Sequence, residues 1–217
     1  MIFQIKNKKK IEKRKSKKTM LIAIEGIDGS GKTTIAYFLK ETLEKCGYNV
    51  VLFKEPGDSP WGLFVKEIKK ITRLKPELEL KLFILDRKYN VKKNILPELK
   101  KGKLVILDRY YYSTIAYQGA CGLNADLIKK INEKFAPKPD LVIILDVQPE
   151  KAIERIKKKR KVDKFEDLKY LRRVREIFLS IKDENIVVVD ANKDVNSVKQ
   201  DVKNIIFAKL KATCKRI

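Results

Sequence analysis

The sequence predicts an α/β fold in which a five-stranded parallel sheet is flanked on both faces by helices. Five short, almost continuous apolar runs recur along the chain, and segments with the 3.6-residue apolar spacing of helices separate them. Such runs are typical of parallel strands, because a sheet covered on both faces buries both sets of side chains. The predicted strands are residues 21–24, 50–53, 104–107, 141–145 and 186–189.

The positions of the polar residues also indicate this fold. Residues 28–33, 55–57 and 108–110, together with Asp146, each follow the end of a predicted strand. In open parallel sheets, ligands bind at the carboxyl ends of the strands. We therefore expect the functional site at this edge of the sheet.

Composition limits the class of protein. The chain has 217 residues, 44% of them hydrophobic, which is enough for one complete core, so we expect one domain over residues 20–217. No apolar stretch approaches the roughly 18 residues needed to cross a bilayer, and we expect a cytoplasmic protein. The chain contains no histidine, which excludes a Ser–His nucleophile and leaves catalysis by positioning and charge.

The net charge of +23 raises the question of a polyanionic partner. Part of the charge lies in residues 1–18, which contain eight lysines and Arg14 against the single acid Glu12. We expect residues 1–19 to form a disordered basic extension, since they hold little apolar surface. The extension is either an arm that binds nucleic acid or a segment upstream of a true start at Met20, and we favour the second interpretation.

A glycine-rich turn after the first predicted strand is the most informative segment. Residues 26–33 fit the pattern G-x-x-x-x-G-K-[ST], and a helical pattern begins at Thr34. In this context backbone N–H groups surround phosphate, Lys32 neutralises its oxygens, and the Thr33 hydroxyl can ligate Mg²⁺. The motif narrows the prediction to the three-layer P-loop NTPase fold. The candidate phosphate-binding residues are Gly26, Ile27, Asp28, Gly29, Ser30, Gly31, Lys32, Thr33 and Thr34.

A second set of candidates follows the third predicted strand. Arg109 leaves this strand beside the phosphate loop, where its planar guanidinium can hold a second phosphate through two parallel hydrogen bonds. Asp108 is placed to face Mg²⁺ or its water ligands. The structural alternative is that Asp108 and Arg109 merely pair with each other or with neighbouring residues. Asp28, inside the phosphate loop, either meets a hydroxyl or a metal, or serves only to form the turn.

Residues 105–118 run V-I-L-D-R-Y-Y-Y-S-T-I-A-Y-Q, which resembles the D-R-[YFH]-x-x-S-x-x-A-[YF] signature of thymidylate kinases. The resemblance continues at residues 55–57, 82–87 and 163–166, so it covers about residues 20–210. It implies an enzyme that transfers the γ-phosphoryl group of ATP to dTMP, with Mg²⁺ on the donor phosphates. It also implies a homodimer formed by packed helices.

The resemblance assigns roles to residues around the acceptor nucleotide. It places Phe83 in a stack on thymine and Arg87, one helical turn later, at the carbonyl edge of the base. For these two residues alone, a core phenylalanine and a solvated arginine are the alternative. Tyr117 matches the aromatic residue that lies under the deoxyribose. The residues that the resemblance places around dTMP are Asp28, Glu55, Phe83, Arg87, Arg109, Thr114, Tyr117 and Gln118.

A basic run between two helical segments is interpreted as a lid, at about residues 155–163. A solvated charged surface is the default interpretation of such a run, but phosphoryl transfer needs positive charge over the transferred group. The phosphate loop carries no arginine, so the chain resembles the thymidylate kinases that supply one from the lid, and we favour Arg160 over Arg155. The candidate catalytic residues are Lys32, Arg109, Arg160, Arg155 and Asp28, and the candidate metal ligands are Thr33 and Asp108.

Two other functions stay open at this point. A kinase for another nucleoside monophosphate or for a deoxynucleoside would share the loop, the lid and the sheet, although Phe83, Arg87 and Tyr117 argue against it. A nucleotide-dependent nucleic-acid-binding protein would fit the net charge, but the chain has no aromatic-rich RNA-binding motif and no second motor core. We expect small nucleotides as partners, and neither nucleic acid nor a membrane.

Overall fold

The computed structural model describes residues 19–72, 74–158 and 167–211. The predicted extension up to residue 18 lies outside the described residues. So do Arg160, the predicted lid from residue 159 onward, and the segment 163–166 that resembled the family.

The described residues form an open sheet of five strands. The strands are β1 (Met20–Glu25), β2 (Val50–Lys54), β3 (Leu104–Asp108), β4 (Leu141–Asp146) and β5 (Ile186–Asp190). Their order is β2-β3-β1-β4-β5, and every neighbouring pair is parallel. The predicted five-stranded parallel sheet is therefore confirmed. Each strand runs one residue beyond its predicted end, and every added residue is charged.

Helices cover both faces of this sheet, as the α/β prediction requires. They are α1 (Lys32–Lys45), α2 (Pro60–Ile71), α3 (Pro76–Asn90), α4 (Leu96–Lys100), α5 (Tyr111–Ala120), α6 (Ala125–Glu133), α7 (Pro149–Lys157), α8 (Leu168–Ser180) and α9 (Val195–Leu210). A π-helical turn, Val91–Ile95, joins α3 to α4. Proline is the first residue of α2, α3 and α7. Its fixed φ suits this position, and its missing N–H costs no hydrogen bond, because the first N–H groups of a helix have no acceptor within the helix.

The register of the central strands sets the position of the functional site. β1 lies between β3 and β4 and is buried along its whole length. Asp108 at the end of β3 pairs in register with Ile24 of β1 and with Lys54 of β2. The segments after these three strands therefore leave the sheet at one level and converge. Among the described residues, no helix has the length and apolar character needed to span a membrane.

Candidate active site

The phosphate loop connects β1 to α1, and glycine is required at two of its positions. Gly26 and Gly29 have φ values of 137° and 79°, which side chains rarely tolerate. A Cβ on Gly26 would lie 2.6 Å from the carbonyl oxygen of Leu145, and one on Gly29 would lie 2.4 Å from that of Ala152. The loop thus packs directly on the backbone of β4 and α7, which fixes its shape.

Lys32 begins α1 and folds back over this loop. Its Nζ donates hydrogen bonds to the carbonyl oxygens of Gly26 and Ile27, at 2.9 and 2.7 Å. Burial lowers the pKa of Lys32 to about 7, and the nearby charge of Arg109 lowers it as well. The ammonium group already lies inside the turn that surrounds phosphate in this motif, so a bound nucleotide can replace the two carbonyl partners.

The loop forms one wall of a cleft of about 670 Å³. All predicted phosphate-binding residues except Gly26 and Ile27 line it, and so do Lys54, Asp108 and Arg109. The opposite wall is built by the segment after β5 and the first turns of α9, which the sequence analysis missed although this segment also follows a strand end. The residues of this second wall are Ala191, Lys193, Asp194, Val195 and Val198.

Arg155 and Ile156 at the end of α7, followed by Lys158, also line this cleft. The Nη2 group of Arg155 donates to the carbonyl oxygens of Ala191 and Lys193, at 2.9 and 3.4 Å. The structure therefore places Arg155 at the cleft that the phosphate loop lines, where it contacts the backbone of the second wall. Arg160, the favoured lid arginine, lies beyond the part of the chain that the structure describes.

Thr33 and Asp108, the predicted metal ligands, meet in the cleft. Thr33 Oγ1 donates to Asp108 Oδ2 at 2.6 Å, and Lys54 Nζ lies 3.7 Å from the same oxygen. Asp108 Oδ1 is buried and accepts no hydrogen bond from any described residue. A hydroxyl and an unpaired carboxylate oxygen beside a phosphate loop fit Mg²⁺, which takes most other ligands from water and phosphate. Within the described ranges, no cluster of three or more His, Cys, Asp or Glu could hold a metal unaided.

Arg109 follows β3 in a left-handed conformation, with φ 76°, that non-glycine residues seldom adopt. Its guanidinium pairs with the carboxylate of Asp28 and lies 5.3 Å from the centre of the Tyr117 ring. The Tyr117 hydroxyl accepts a hydrogen bond from the Asp28 N–H at 2.9 Å. The structure therefore brings these three predicted acceptor-site residues together. Arg109 and Asp108 do not pair with each other but with neighbours, Asp28 and Thr33, as one form of the structural alternative expected.

Charged groups compensate one another in this part of the cleft. Desolvation would raise the pKa of Asp28, but Arg109 and Lys32 hold it well below its usual range. Burial works against the charge of Arg109, yet Asp28 raises the pKa of the guanidinium above its ordinary value. Asp28 and Arg109 therefore both carry their charge, and the guanidinium can hold a phosphate in place of this carboxylate.

Arg87 on α3 is the centre of a buried polar network. Its Nε donates to Glu55 at 2.7 Å, Nη1 to Asn132 Oδ1 at 2.7 Å, and Nη2 to Thr114 Oγ1 at 2.9 Å. Asn90 donates to the other Glu55 oxygen at 3.1 Å, and burial raises the pKa of this carboxyl. These contacts use three of the five N–H groups of the guanidinium, and the other two donate to no described residue.

Burial decides between the two interpretations of Arg87. Arg87 is 2% exposed, so it is not the solvated arginine of the structural alternative. Glu55 is buried and pairs with Arg87. Six of the residues predicted to surround dTMP do not line the described cleft: Glu55, Phe83, Arg87, Thr114, Tyr117 and Gln118. Asn132, on α6, was missed, because it lies 45 residues from Arg87 in the chain and its own sequence surroundings carry no motif.

The ring of Phe83 lies under a lysine that the sequence analysis did not consider. The ammonium of Lys69, at the end of α2, lies 4.8 Å from the ring centre and pairs with Glu79 at 2.9 Å. Gln118 donates to the other Glu79 oxygen at 2.7 Å. Its own Oε1 is buried and has no hydrogen-bond partner in the described part of the chain. Phe83 and Gln118 are thus linked through Glu79 and Lys69.

Two cationic centres at the ends of adjacent strands, one of them a lysine inside a glycine loop, are what a kinase needs to bring two phosphate groups together. With a buried arginine network on the acceptor side, the fold and the site define the class of P-loop kinases that act on nucleoside monophosphates.

Comparison with known proteins identifies the family within this class. Residues 24–202 match the family model described as thymidylate kinase. A probable thymidylate kinase of Archaeoglobus fulgidus is 54% identical over 187 residues, which cover 86% of this chain and 94% of the relative. The probable thymidylate kinase 1 of Saccharolobus solfataricus is 49% identical, with 86% and 96% covered, and the thymidylate kinase of Xanthomonas campestris is 42% identical, with 88% and 84% covered. The chain belongs to the thymidylate kinase family.

Proposed function

We propose that this protein transfers the γ-phosphoryl group of ATP to dTMP and releases ADP and dTDP. Family membership supports the reaction and the use of a nucleotide as phosphoryl donor. The observation in the structure that carries the proposal is that Lys32 of the phosphate loop and Arg109 after β3 line the same cleft. Two phosphates that repel each other need two such cations, one for each.

On the donor side, we assign the phosphates of ATP to the loop and to Lys32. Thr33 and Asp108 would hold Mg²⁺, which would neutralise negative charge on the donor phosphates. We assign the nucleoside of ATP to the second wall, which Arg155 holds in place. Arg160 is proposed to add positive charge over the transferred group.

On the acceptor side, we assign the phosphate of dTMP to Arg109, which would exchange Asp28 for this ligand. Asp28 is then free to accept a hydrogen bond from the 3′-hydroxyl of the sugar, and Tyr117 lies beneath the deoxyribose. The oxygen of the acceptor phosphate attacks the γ-phosphorus while the bond to the β-phosphate oxygen breaks. No histidine base is needed, because the attacking oxygen is already anionic.

For the base, we assign thymine to the face of Phe83 and its carbonyl edge to the two unused N–H groups of Arg87. Thr114 supports Arg87, and the unpaired Oε1 of Gln118 offers a buried acceptor close by. Glu55 acts by holding Arg87 rather than by touching the substrate.

We also propose a homodimer that forms through α2 and α3, which pack against each other. Four apolar side chains of these helices are 46% exposed or more: Leu63, Phe64, Ile71 and Leu78. Burying such side chains in a partner copy stabilises a dimer by about 1.5–3 kcal/mol for each fully buried residue. Light scattering of the wild type should give twice the monomer mass, and Phe64→Glu should give the monomer mass; a wild-type monomer contradicts this proposal.

The activity is tested by ADP release with ATP and Mg²⁺ and a panel of acceptors. The panel contains dTMP, dUMP, ribothymidine monophosphate, dCMP, dGMP and dAMP, with a blank that lacks acceptor. We expect strong turnover with dTMP, weaker turnover with dUMP, and loss of turnover when the metal is chelated. Preference for another acceptor would keep the phosphoryl-transfer mechanism but overturn the roles of Phe83, Arg87 and Tyr117.

A further inference from the structure

We propose that Glu25 is a positioning residue that holds Arg109 against the phosphate loop, and through Arg109 the acceptor phosphate. The inference rests on the proposed function, which gives Arg109 its part in the reaction. Glu25 is the last residue of β1, directly before Gly26, and its side chain is fully buried. The sequence analysis assigned it no role, because the apolar run that predicted β1 ends at Ile24.

Among the described residues, the Glu25 carboxylate makes its hydrogen bonds to the segment that follows Arg109. Oε1 accepts from the N–H of Tyr110 at 2.8 Å and from the N–H of Ser113 at 3.3 Å. Oε2 accepts from the Ser113 hydroxyl at 2.5 Å. The Tyr110 side chain itself provides no cap for α5, so a carboxylate from β1 caps the helix that follows β3.

The Ser113 hydroxyl extends this link to the guanidinium of Arg109. A serine hydroxyl has one hydrogen, and Ser113 gives it to Glu25, so its oxygen lone pairs stay available as acceptors. Arg109 Nη1 donates to this oxygen at 3.3 Å. Glu25 therefore fixes the direction of the Ser113 O–H bond and, with it, the side from which the Ser113 oxygen can accept a hydrogen bond. Ser113 in turn orients the guanidinium of Arg109.

The backbone of Arg109 is fixed by the same end of β1. Its N–H donates to the carbonyl oxygen of Ile24 at 3.1 Å, and the next N–H along the chain, that of Tyr110, donates to Glu25. A non-glycine residue with a left-handed φ keeps that conformation only when its surroundings enforce it. The last two residues of β1 enforce it on both sides of Arg109.

A helix cap alone does not explain a buried carboxylate. Asparagine or serine caps helices well without burying a charge, which is unfavourable unless cations are near. Burial raises the pKa of Glu25 to about 7, while Arg109 and Lys32 favour the charged form. The link between this carboxylate and the guanidinium is the Ser113 hydroxyl, which donates to Glu25 and accepts from Arg109.

A double-mutant cycle between Glu25→Gln and Arg109→Ala tests this inference. We measure kcat, the two KM values for ATP and dTMP, and the melting temperature of each variant. In the wild-type background, Glu25→Gln should lower kcat on the order of 10²-fold, because misplacing a reacting group by about 1 Å costs that much. In the Arg109→Ala background, it should lower kcat less than about threefold, since its effect passes through Arg109. Equal losses in both backgrounds, or no loss in a folded variant, overturn the proposal.

Two further variants keep the result decisive. Ser113→Ala keeps the two backbone N–H groups that donate to Glu25, and it removes only the hydroxyl that connects Glu25 to Arg109. It should lower kcat about tenfold in the wild-type background and hardly at all beside Arg109→Ala. If Glu25→Gln does not fold, this second cycle decides the question in the same way. Glu44→Gln, an exposed glutamate on α1, is the control and should match the wild type.

The proposed function and the role of Glu25 are tested by different measurements. Turnover of the wild type with dTMP tests the proposed function directly. If the wild type prefers another acceptor, the proposed substrate is wrong, and the same cycles with that acceptor still test the role of Glu25.

Discussion

Replacing Glu55 with leucine removes the negative partner of a buried arginine. Arg87 is 2% exposed, and its Nε donates to Glu55 at 2.7 Å. Leucine would leave the guanidinium in the interior with one N–H unpaired and would also take the acceptor from Asn90. Removing one member of a buried ion pair costs about 3–5 kcal/mol, so we expect a loss of about 4 kcal/mol in the free energy of unfolding.

The assay is urea unfolding, followed by steady-state kinetics on the folded variants. With a slope of about 2 kcal/mol per M, the expected loss moves the unfolding midpoint by about 2 M. Glu55→Gln keeps an oxygen acceptor for Arg87 and should lose only about 1–3 kcal/mol. Glu44→Leu, at an exposed position on α1, should stay within about 0.5 kcal/mol of the wild type.

The kinetic result connects this network to the base. If Glu55 aims Arg87 at thymine, then Glu55→Leu should also raise KM for dTMP about tenfold or more, which corresponds to about 1.4 kcal/mol of lost binding. KM for ATP should hardly change. A Glu55→Leu protein as stable as the Glu44→Leu control would refute the reasoning, because the guanidinium must then reach water. A destabilised protein with unchanged KM for dTMP would show that Arg87 supports the fold and does not contact the base.

Three further predictions follow from single contacts. Asp108→Asn should raise the Mg²⁺ concentration for half-maximal activity about 10-fold or more, measured by metal titration, and an unchanged requirement would remove Asp108 from the metal site. Lys69→Met should lower KM for dTMP about 2–5-fold, because a base that stacks on Phe83 no longer has to displace the ammonium of Lys69 from the ring, an interaction of about 0.5–1 kcal/mol. A higher KM contradicts this prediction, and Lys40→Met is the control. The carboxyl of Glu25 keeps its proton up to about pH 7 in the folded protein, whereas it releases the proton near pH 4.5 in the unfolded chain. The free energy of unfolding of the wild type should therefore fall by up to about 3 kcal/mol as the pH rises from 4.5 to 7, and that of Glu25→Gln should not show this fall. Parallel urea titrations at several pH values check this, and equal slopes for the two proteins count against a buried carboxyl with a raised pKa.

The sheet and the phosphate loop could be predicted because their signals are local. An apolar run marks a strand buried on both faces, and the spacing of glycine, lysine and threonine marks the loop. The predicted strand ends were one residue short for a physical reason: the final residues are charged, and hydrophobicity does not reveal a charge that the fold buries and pairs. Glu25 and Asp108 are such residues.

The parts that sequence did not reveal depend on contacts between distant elements. Asn132 reaches Arg87 across 45 residues, and Lys69 covers Phe83 only because α2 packs on α3. The second wall of the cleft, near Ala191, faces the phosphate loop only once β5 has joined the sheet. The individual residues in these places are ordinary for a helix or a turn, so no local pattern distinguishes them.

The contact between Gly29 and Ala152 limits how this active site could be redesigned. Some thymidylate kinases carry their catalytic arginine in the phosphate loop, but a Cβ at position 29 would lie 2.4 Å from the Ala152 carbonyl oxygen, and φ there is 79°. An arginine transplanted to this position would therefore meet the backbone of α7 before its guanidinium reached any phosphate. An arginine at position 29 would require moving α7, which no single substitution achieves.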